Sequence, residues 1–310
     1  MFYDLNVPWS ADDPEVPRTL SFLHELGYNE VALTHTLSGK IPADVTCPIP
    51  KELPFSTPED LTIHRRCTLV LSDPSQNHRL SALSNSYDIL ALRPTTDKCL
   101  QQACQTLECD LISLDLTVRH PFHFKFKTLS SALQRGIKFE LCYSPGILAV
   151  DNNARRNLIS NAIQIIRATR ARGLVISSGA TRSVGCRGPW DVINLAAVWG
   201  LGQEKGRDAV GREARSVVVA AQMKRRSYKG VIDVVDAGEK RAPKDQKNKK
   251  DGAQKRKADA LQGGEAEAAK LAKPAPALSK REQKRQAKKA KLDATVGNNP
   301  IQQVTETAKG

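Results

Sequence analysis

Short β-rich runs alternate with helical patterns along the first three quarters of this chain. That alternation limits the fold more than any other feature. Several runs, DILAL (88–92) and LVIS (174–177) among them, are apolar almost throughout. Strands of that kind are buried on both faces, as in a parallel sheet covered by helices. Strands are expected at 2–7, 30–34, 67–71, 88–92, 111–114, 138–142 and 174–177.

The intervening segments carry helix punctuation. Gly27 follows FLHEL, Gly136 follows SALQR and Gly173 follows RATRAR, each a C′ glycine just before a strand. Asp73-Pro74 and Gly188-Pro189 place proline at a first helical position, where its missing N–H costs nothing. Leu100, Ala103, Cys104 and Leu107 form one apolar stripe; Leu158, Ile159, Ala162, Ile163 and Ile166 form another. The expected class is α/β, a TIM-barrel-like (β/α) barrel that is incomplete at about seven strands. Beyond residue 177 the pattern is helical at 189–200 and 204–226. RSVVVAAQ (215–222) reads as either strand or helix, so no eighth strand is secure. The segment 35–66, with prolines at 42, 48, 50, 54 and 58, reads as a long loop over the domain.

The formal net charge of +14 is unevenly placed, because residues 237–310 hold 19 Lys and Arg against 9 Asp and Glu. That tail lacks Phe, Trp and Tyr and cannot bury enough apolar surface to offset chain entropy. The expected organisation is a barrel-like domain at 1–236 and a disordered Lys-rich tail at 237–310. KNKK (247–250), KRK (255–257) and SKREQKRQAKKAK (279–291) suit nuclear or nucleolar addressing or RNA binding. The seven cysteines include no C-x-x-C pair and sit mostly in apolar runs, as reduced buried thiols do. No secretory signal and no membrane span are expected.

In a (β/α) barrel, function gathers at the C-terminal ends of the strands. Metal hydrolysis there would need converging His and carboxylate ligands. The six histidines (24, 35, 64, 78, 120, 123) are scattered, and only His35 is expected at a strand tip. No G-x-S-x-G or serine with an identifiable His and acid partner occurs. SSGATRSVG (177–185) is a small, polar loop able to cradle phosphate through backbone N–H groups. Arg182 and Arg187 in that loop, ahead of a helix start at Pro189, favour a nucleic-acid backbone. His120 and His123 stand among Phe122, Phe124, Lys125 and Lys127, a basic and aromatic mix suited to RNA.

LSDPS (71–75), YDILALRPTTDK (87–98), FELCYSPGI (139–147) with RRNLISNA (155–162), and VISSGATRSVGCRGPWDVINLAAVWGL (175–201) resemble one family in order. It is the barrel-forming protein subunit of archaeal and eukaryotic nuclear ribonuclease P, shared with ribonuclease MRP. The resemblance runs from FYDLNVP to about residue 235. It implies a barrel related to the PHP metal-dependent phosphoesterases, whose first strand ends in Asp-x-His-x-His. Here Asp4 is followed by Asn6 and Pro8, and proline has no side-chain ligand, so that site looks dismantled. His35 looks like a relic of it.

The resemblance further implies that catalysis belongs to the RNA subunit, which uses Mg²⁺ to remove 5′ leaders from precursor tRNA. No cofactor is expected on this chain. The implied partners are the ribonuclease P and MRP RNAs, precursor tRNA indirectly, and other protein subunits, including a small ferredoxin-like one. The implied location is the nucleus and nucleolus. Arg182, Arg187, Arg155 and Arg156 are the leading expected phosphate contacts; Arg93, Lys98, Arg119, His120 and Lys125 are further ones. The rival readings are a phosphoesterase with a degenerate metal site, and a nucleolar scaffold whose tail does all the RNA binding.

Overall fold

In a computed structural model, residues 1–226 are described apart from 12, 40, 42–44 and 75–78. The chain divides into Met1–Gly238 and Glu239–Gly310. The second unit, and with it the tail expected at 237–310, lies outside the described residues.

All seven expected strands are present: β1 (Tyr3–Pro8), β2 (Glu30–Leu37), β3 (Thr62–Leu71), β4 (Ile89–Pro94), β5 (Leu111–Ser113), β6 (Lys138–Cys142) and β7 (Leu174–Ser177). They form one parallel sheet in the order β1-β2-β3-β4-β5-β6-β7. Parallel neighbours need crossover connections, and the sequence supplies a helix for most of them. The helices are α1 (Glu15–Glu25), α2 (Leu80–Ser86), α3 (Asp97–Gln105), α4 (Phe126–Gln134), α5 (Ser144–Ile147), α6 (Asn152–Thr169), α7 (Pro189–Val198), α8 (Gln203–Val210) and α9 (Arg212–Arg226). The sheet curls until β1 approaches β7. There the Gly179 N–H donates to the Asn6 carbonyl at 2.8 Å and the Ser178 N–H to Asp4 Oδ1 at 2.9 Å. The result is a nearly closed barrel.

Outward strand residues such as Leu33, Leu69, Leu92, Ile112, Phe139 and Ile176 pack under Leu20, Leu23, Leu100, Leu129, Leu158 and Ile193 of the surrounding helices. Each such burial contributes about 1.5–3 kcal/mol. Inward residues Tyr3, Leu5, Ala32, Ile89, Ala91, Leu111 and Val175 form a second, smaller core with Ala214, Val217, Val218 and Ala221 of α9. The ambiguous stretch RSVVVAAQ is therefore helical, because its buried positions fall at helical spacing and seal the N-terminal end of the barrel. Lys224 and Arg225 fasten that helix to Asp110 at 3.0 and 2.8 Å, just before β5.

Gly27 and Gly136 do take the left-handed conformation after α1 and α4, with φ of 95° and 83°. Gly173 is not the C′ residue of α6. That helix ends at Thr169, and Arg170 and Ala171 both turn left-handed at φ 55° before Gly173 does so at 59°. The expected stripe on α6 is also displaced: Leu158, Ala162, Ile165 and Ile166 face the core, while Ile159 is exposed. Pro189 opens α7 behind Gly188; Pro74 stands in a turn, and the residues after it, 75–78, where the helix is expected to continue, lie outside the described residues. The expected 204–226 helix breaks at Gly211 into α8 and α9. The loop expected over 35–66 is shorter, because β2 runs to Leu37 and β3 starts at Thr62. His35 and His64 therefore lie within strands; His24 is in α1, and His78 falls outside the described residues.

Candidate RNA interface

The loops that follow the C-terminal ends of β4 to β7 carry or adjoin every expected phosphate contact, and their contacts make one continuous belt. The loop after β7 leans on α5: a Cβ on Gly185 would stand 2.2 Å from Ser144 Oγ and 2.9 Å from Leu148 Cδ1. Arg155 Nη2 of α6 then reaches the Ile147 carbonyl at 3.3 Å. On the other flank of α6, Asn157 donates to the Thr117 carbonyl at 3.0 Å. Asn161 donates to the carbonyls of Leu116 at 2.8 Å and Val118 at 2.9 Å. These amides hold the loop after β5, which carries Arg119, His120 and Lys125. Lys125 in turn lies 4.0 Å from Asp97, beside Lys98 at the start of α3.

The two leading arginines do different things. Arg182 is exposed and extended, preceding a 3-10 turn at Ser183–Gly185. Arg187 is half-buried and folds back on its own loop, with Nη1 donating to the carbonyls of Val184 at 2.8 Å and Cys186 at 2.7 Å. Its backbone is fixed as well: Tyr28 OH donates to its carbonyl at 3.1 Å, and its N–H donates to Tyr143 OH at 3.0 Å. Arg187 thus builds the loop from which Arg182 projects.

Arg155 and Arg156 are exposed in the second turn of α6, whose first turn is capped by Asp151. Arg119, Lys98 and Lys125 are exposed too. Arg93, near the end of β4, is half-buried, and its Nε is covered without a hydrogen-bond partner. His120 packs its ring against Phe122, with centroids 5.0 Å apart, and edge-on to Phe124 at 5.6 Å. Burial lowers the His120 pKa from its usual value, against the smaller opposing pull of Asp115.

The barrel centre holds a group that the motif search passed over. Arg66 on β3 and Glu140 on β6 are both fully buried and joined twice, Nη1 to Oε1 at 2.5 Å and Nη2 to Oε2 at 2.6 Å. Their strands are not neighbours, so the pair spans the barrel interior. Arg66 also donates to the Leu5 carbonyl and to Thr68 Oγ1, and Ser177 Oγ donates to Glu140 at 2.8 Å. Burial alone would raise the Glu140 pKa; the Arg66 charge and these hydrogen bonds outweigh it and hold the carboxyl below its usual range. The signal was available: RRCTLVL and FELC each place a charge inside an apolar strand.

Asn6 joins this network, donating from Nδ2 to Glu140 Oε2 and Cys142 Sγ, both at 3.2 Å. The Asn6 amide is thus bonded to an already paired carboxylate. A guanidinium supplies the positive charge there. Among the described residues, no group of three His, Cys, Asp or Glu side chains converges to hold a metal ion. His35 does not stand at the strand tip as expected; its Nδ1 lies 2.9 Å from Tyr87 OH, with the two rings stacked. Asp4 is buried nearby with one oxygen unpartnered, and burial raises its pKa to about 6.

Residues 1–226 match the family model described as RNase P subunit p30. The chain is 40% identical over 237 residues to "Probable ribonuclease P protein subunit 3" of Schizosaccharomyces pombe, covering 75% of this chain and 99% of that protein. It is 34% identical over 249 residues to "Ribonuclease P/MRP protein subunit RPP1" of Saccharomyces cerevisiae, covering 75% and 84%. A chain in the cryo-EM structure of archaeal ribonuclease P with mature tRNA shares the fold at a TM-score of 0.58 and 13% identity. That match covers 77% of this chain and 99% of the other. This chain belongs to the RNase P subunit p30 family.

Proposed function

We propose that this chain is an RNA-binding protein subunit of ribonuclease P and of ribonuclease MRP, supporting RNA-catalysed removal of 5′ leaders from precursor tRNA and the processing of ribosomal RNA. The observation that carries this reading is the match to a ribonuclease P subunit of fission yeast, which spans 75% of this chain and 99% of that protein. The geometry agrees with it. Loops at one end of a rigid barrel present Arg182, Arg155, Arg156, Arg119, Lys98 and Lys125 in a continuous belt suited to phosphates. The barrel centre, where a phosphoesterase of this architecture would need ligands, is filled by the Arg66–Glu140 pair.

In this reading the chain binds no cofactor of its own, and Mg²⁺ acts in the RNA. Its partners are the two catalytic RNAs and the other protein subunits, a small ferredoxin-like one among them, with precursor tRNA reached indirectly. Its place is the nucleus, with the nucleolus as its site of concentration. Arg93, deeper in the barrel mouth, and His120 act with the exposed residues.

The test is to tag the protein in its own cells, purify it at moderate salt and sequence the RNA that comes with it. One or two abundant structured RNAs, with precursor-tRNA cleavage in the eluate, are expected. Bulk ribosomal RNA that disappears on deletion of 237–310 would instead favour a scaffold acting through its tail. Hydrolysis of a simple phosphodiester by the RNA-free protein with Mn²⁺ would favour the phosphoesterase.

A further inference from the structure

The loop after β5 and the outer flank of α6 enclose a cavity of about 540 Å³. Arg119, His120, Phe122, Asn157, Asn161 and Gln164 contribute to its walls. Its chemistry differs from that of the rest of the belt. One wall is the aromatic group of His120 and Phe122, backed edge-on by Phe124 at 5.7 Å from Phe122. The opposite wall is a helical ladder of amides and a hydroxyl, in which Gln164 Nε2 donates to Ser160 Oγ at 3.2 Å. Arg119 is the one Arg or Lys among the lining residues. The wall is preorganised, because Asn157 and Asn161 tie the loop carbonyls of 116–118 to α6.

We infer that this cavity takes a single unstacked nucleobase of RNA, laid against the Phe122 and His120 rings, with its polar edge toward Gln164 and its phosphate on Arg119. The inference rests on the RNA-binding reading above and assigns the site a ligand. A phosphate alone would not need aromatic walls, and an aliphatic side chain would leave the polar wall and the Arg119 charge unmatched. A planar heterocycle with a polar rim satisfies both walls. The Asn157 and Asn161 N–H groups hold the loop, while Gln164 has a carbonyl oxygen and a second N–H to turn to a base edge, so the site reads the presence of a base more than its identity. Among the described residues His120 Nε2 is covered and has no hydrogen-bond partner.

The test uses the full-length chain and two probes: a short single-stranded oligouridine, and the same strand with abasic riboses. Phosphates, and therefore every arginine and tail lysine, contribute alike to both. Base stacking on an aromatic side chain should make the uridine strand bind about tenfold tighter. Phe122→Leu, which keeps an apolar side chain but removes the ring, should abolish that preference while the abasic strand binds as before. Gln164→Ala, at an exposed position, should reduce the preference without changing the melting temperature. Equal wild-type binding of both strands would overturn the pocket and leave the RNA-binding reading intact. A preference that survives both substitutions would place base recognition elsewhere and equally overturn it. Failure of both strands to bind would bring down the RNA-binding reading and this site together.

Discussion

Glu140 of β6 and Arg66 of β3 are 74 residues apart in sequence and meet inside the barrel, with neither side chain exposed to solvent. The pair stitches together strands that share no hydrogen-bonded edge, and through the Leu5 carbonyl and Ser177 it reaches β1 and β7 as well.

Removing one partner should therefore cost more than removing both. Glu140→Gln leaves a charged guanidinium without its counter-charge in a dry interior, and should lower stability by about 3–5 kcal/mol. Urea unfolding reads this directly. Arg66→Met combined with Glu140→Leu should recover most of the loss, because a packed apolar pair carries no desolvation penalty.

Two buried carboxyls give opposite pH responses. Glu140 has a lowered folded pKa, so its contribution is fully present above the unfolded value and is lost as pH falls through the folded one. Asp4 has a folded pKa of about 6 against an ordinary 3.8. The folded state therefore binds the extra proton between those values, and stability falls as pH rises through that window. The cost at neutral pH is about 3 kcal/mol. Asp4→Asn keeps an oxygen for the Ser178 and Asn6 N–H groups and should flatten this slope. Melting temperatures measured from pH 4 to about pH 8 should converge at the acid end and diverge at the alkaline end, with the variant the more stable.

Arg182 and Arg187 should separate in a salt titration. Arg182→Ala removes an exposed charge with no side-chain bond, so the protein should melt as before. Its RNA affinity should fall, with the slope of log K against log salt shallower by about 0.7–0.9. Arg187→Ala removes the guanidinium that holds the carbonyls of Val184 and Cys186. It should weaken RNA binding and lower the melting temperature together.

Gly185 lies where a Cβ would strike Ser144 Oγ and Leu148. Gly185→Ala should cost about 1–3 kcal/mol through overpacking. It should also move the loop that presents Arg182, and so weaken RNA binding. Adding Ser144→Ala should restore part of both, as read by thermal melting and filter binding.

The strands were legible because parallel strands covered on both faces leave uninterrupted apolar runs, as in DILAL and LVIS. Helix ends were legible where one glycine does all the turning, at Gly27 and Gly136, and misread at α6. There, Arg170 is held over the Phe126 ring at 4.4 Å and takes the left-handed turn itself. The arginine belt could be anticipated because loop order in a βα repeat fixes which segments share an end of the barrel. That Arg187 turns inward could not, since its bonds go to backbone carbonyls that carry no residue signature. Arg66 and Glu140 stood out only as charges within apolar strands. Their pairing across β3 and β6 depends on the sheet closing, which no local pattern encodes.

The helix that floors the barrel is the last described element of the chain, and the strand it covers first is near the first residue. Until α9 is made, Tyr3, Leu5, Ala32 and Val175 have no lid at that end of the barrel. A chain that stopped before Arg212 would leave the apolar floor of the barrel uncovered, so the core that the first strand begins is completed by the last described helix.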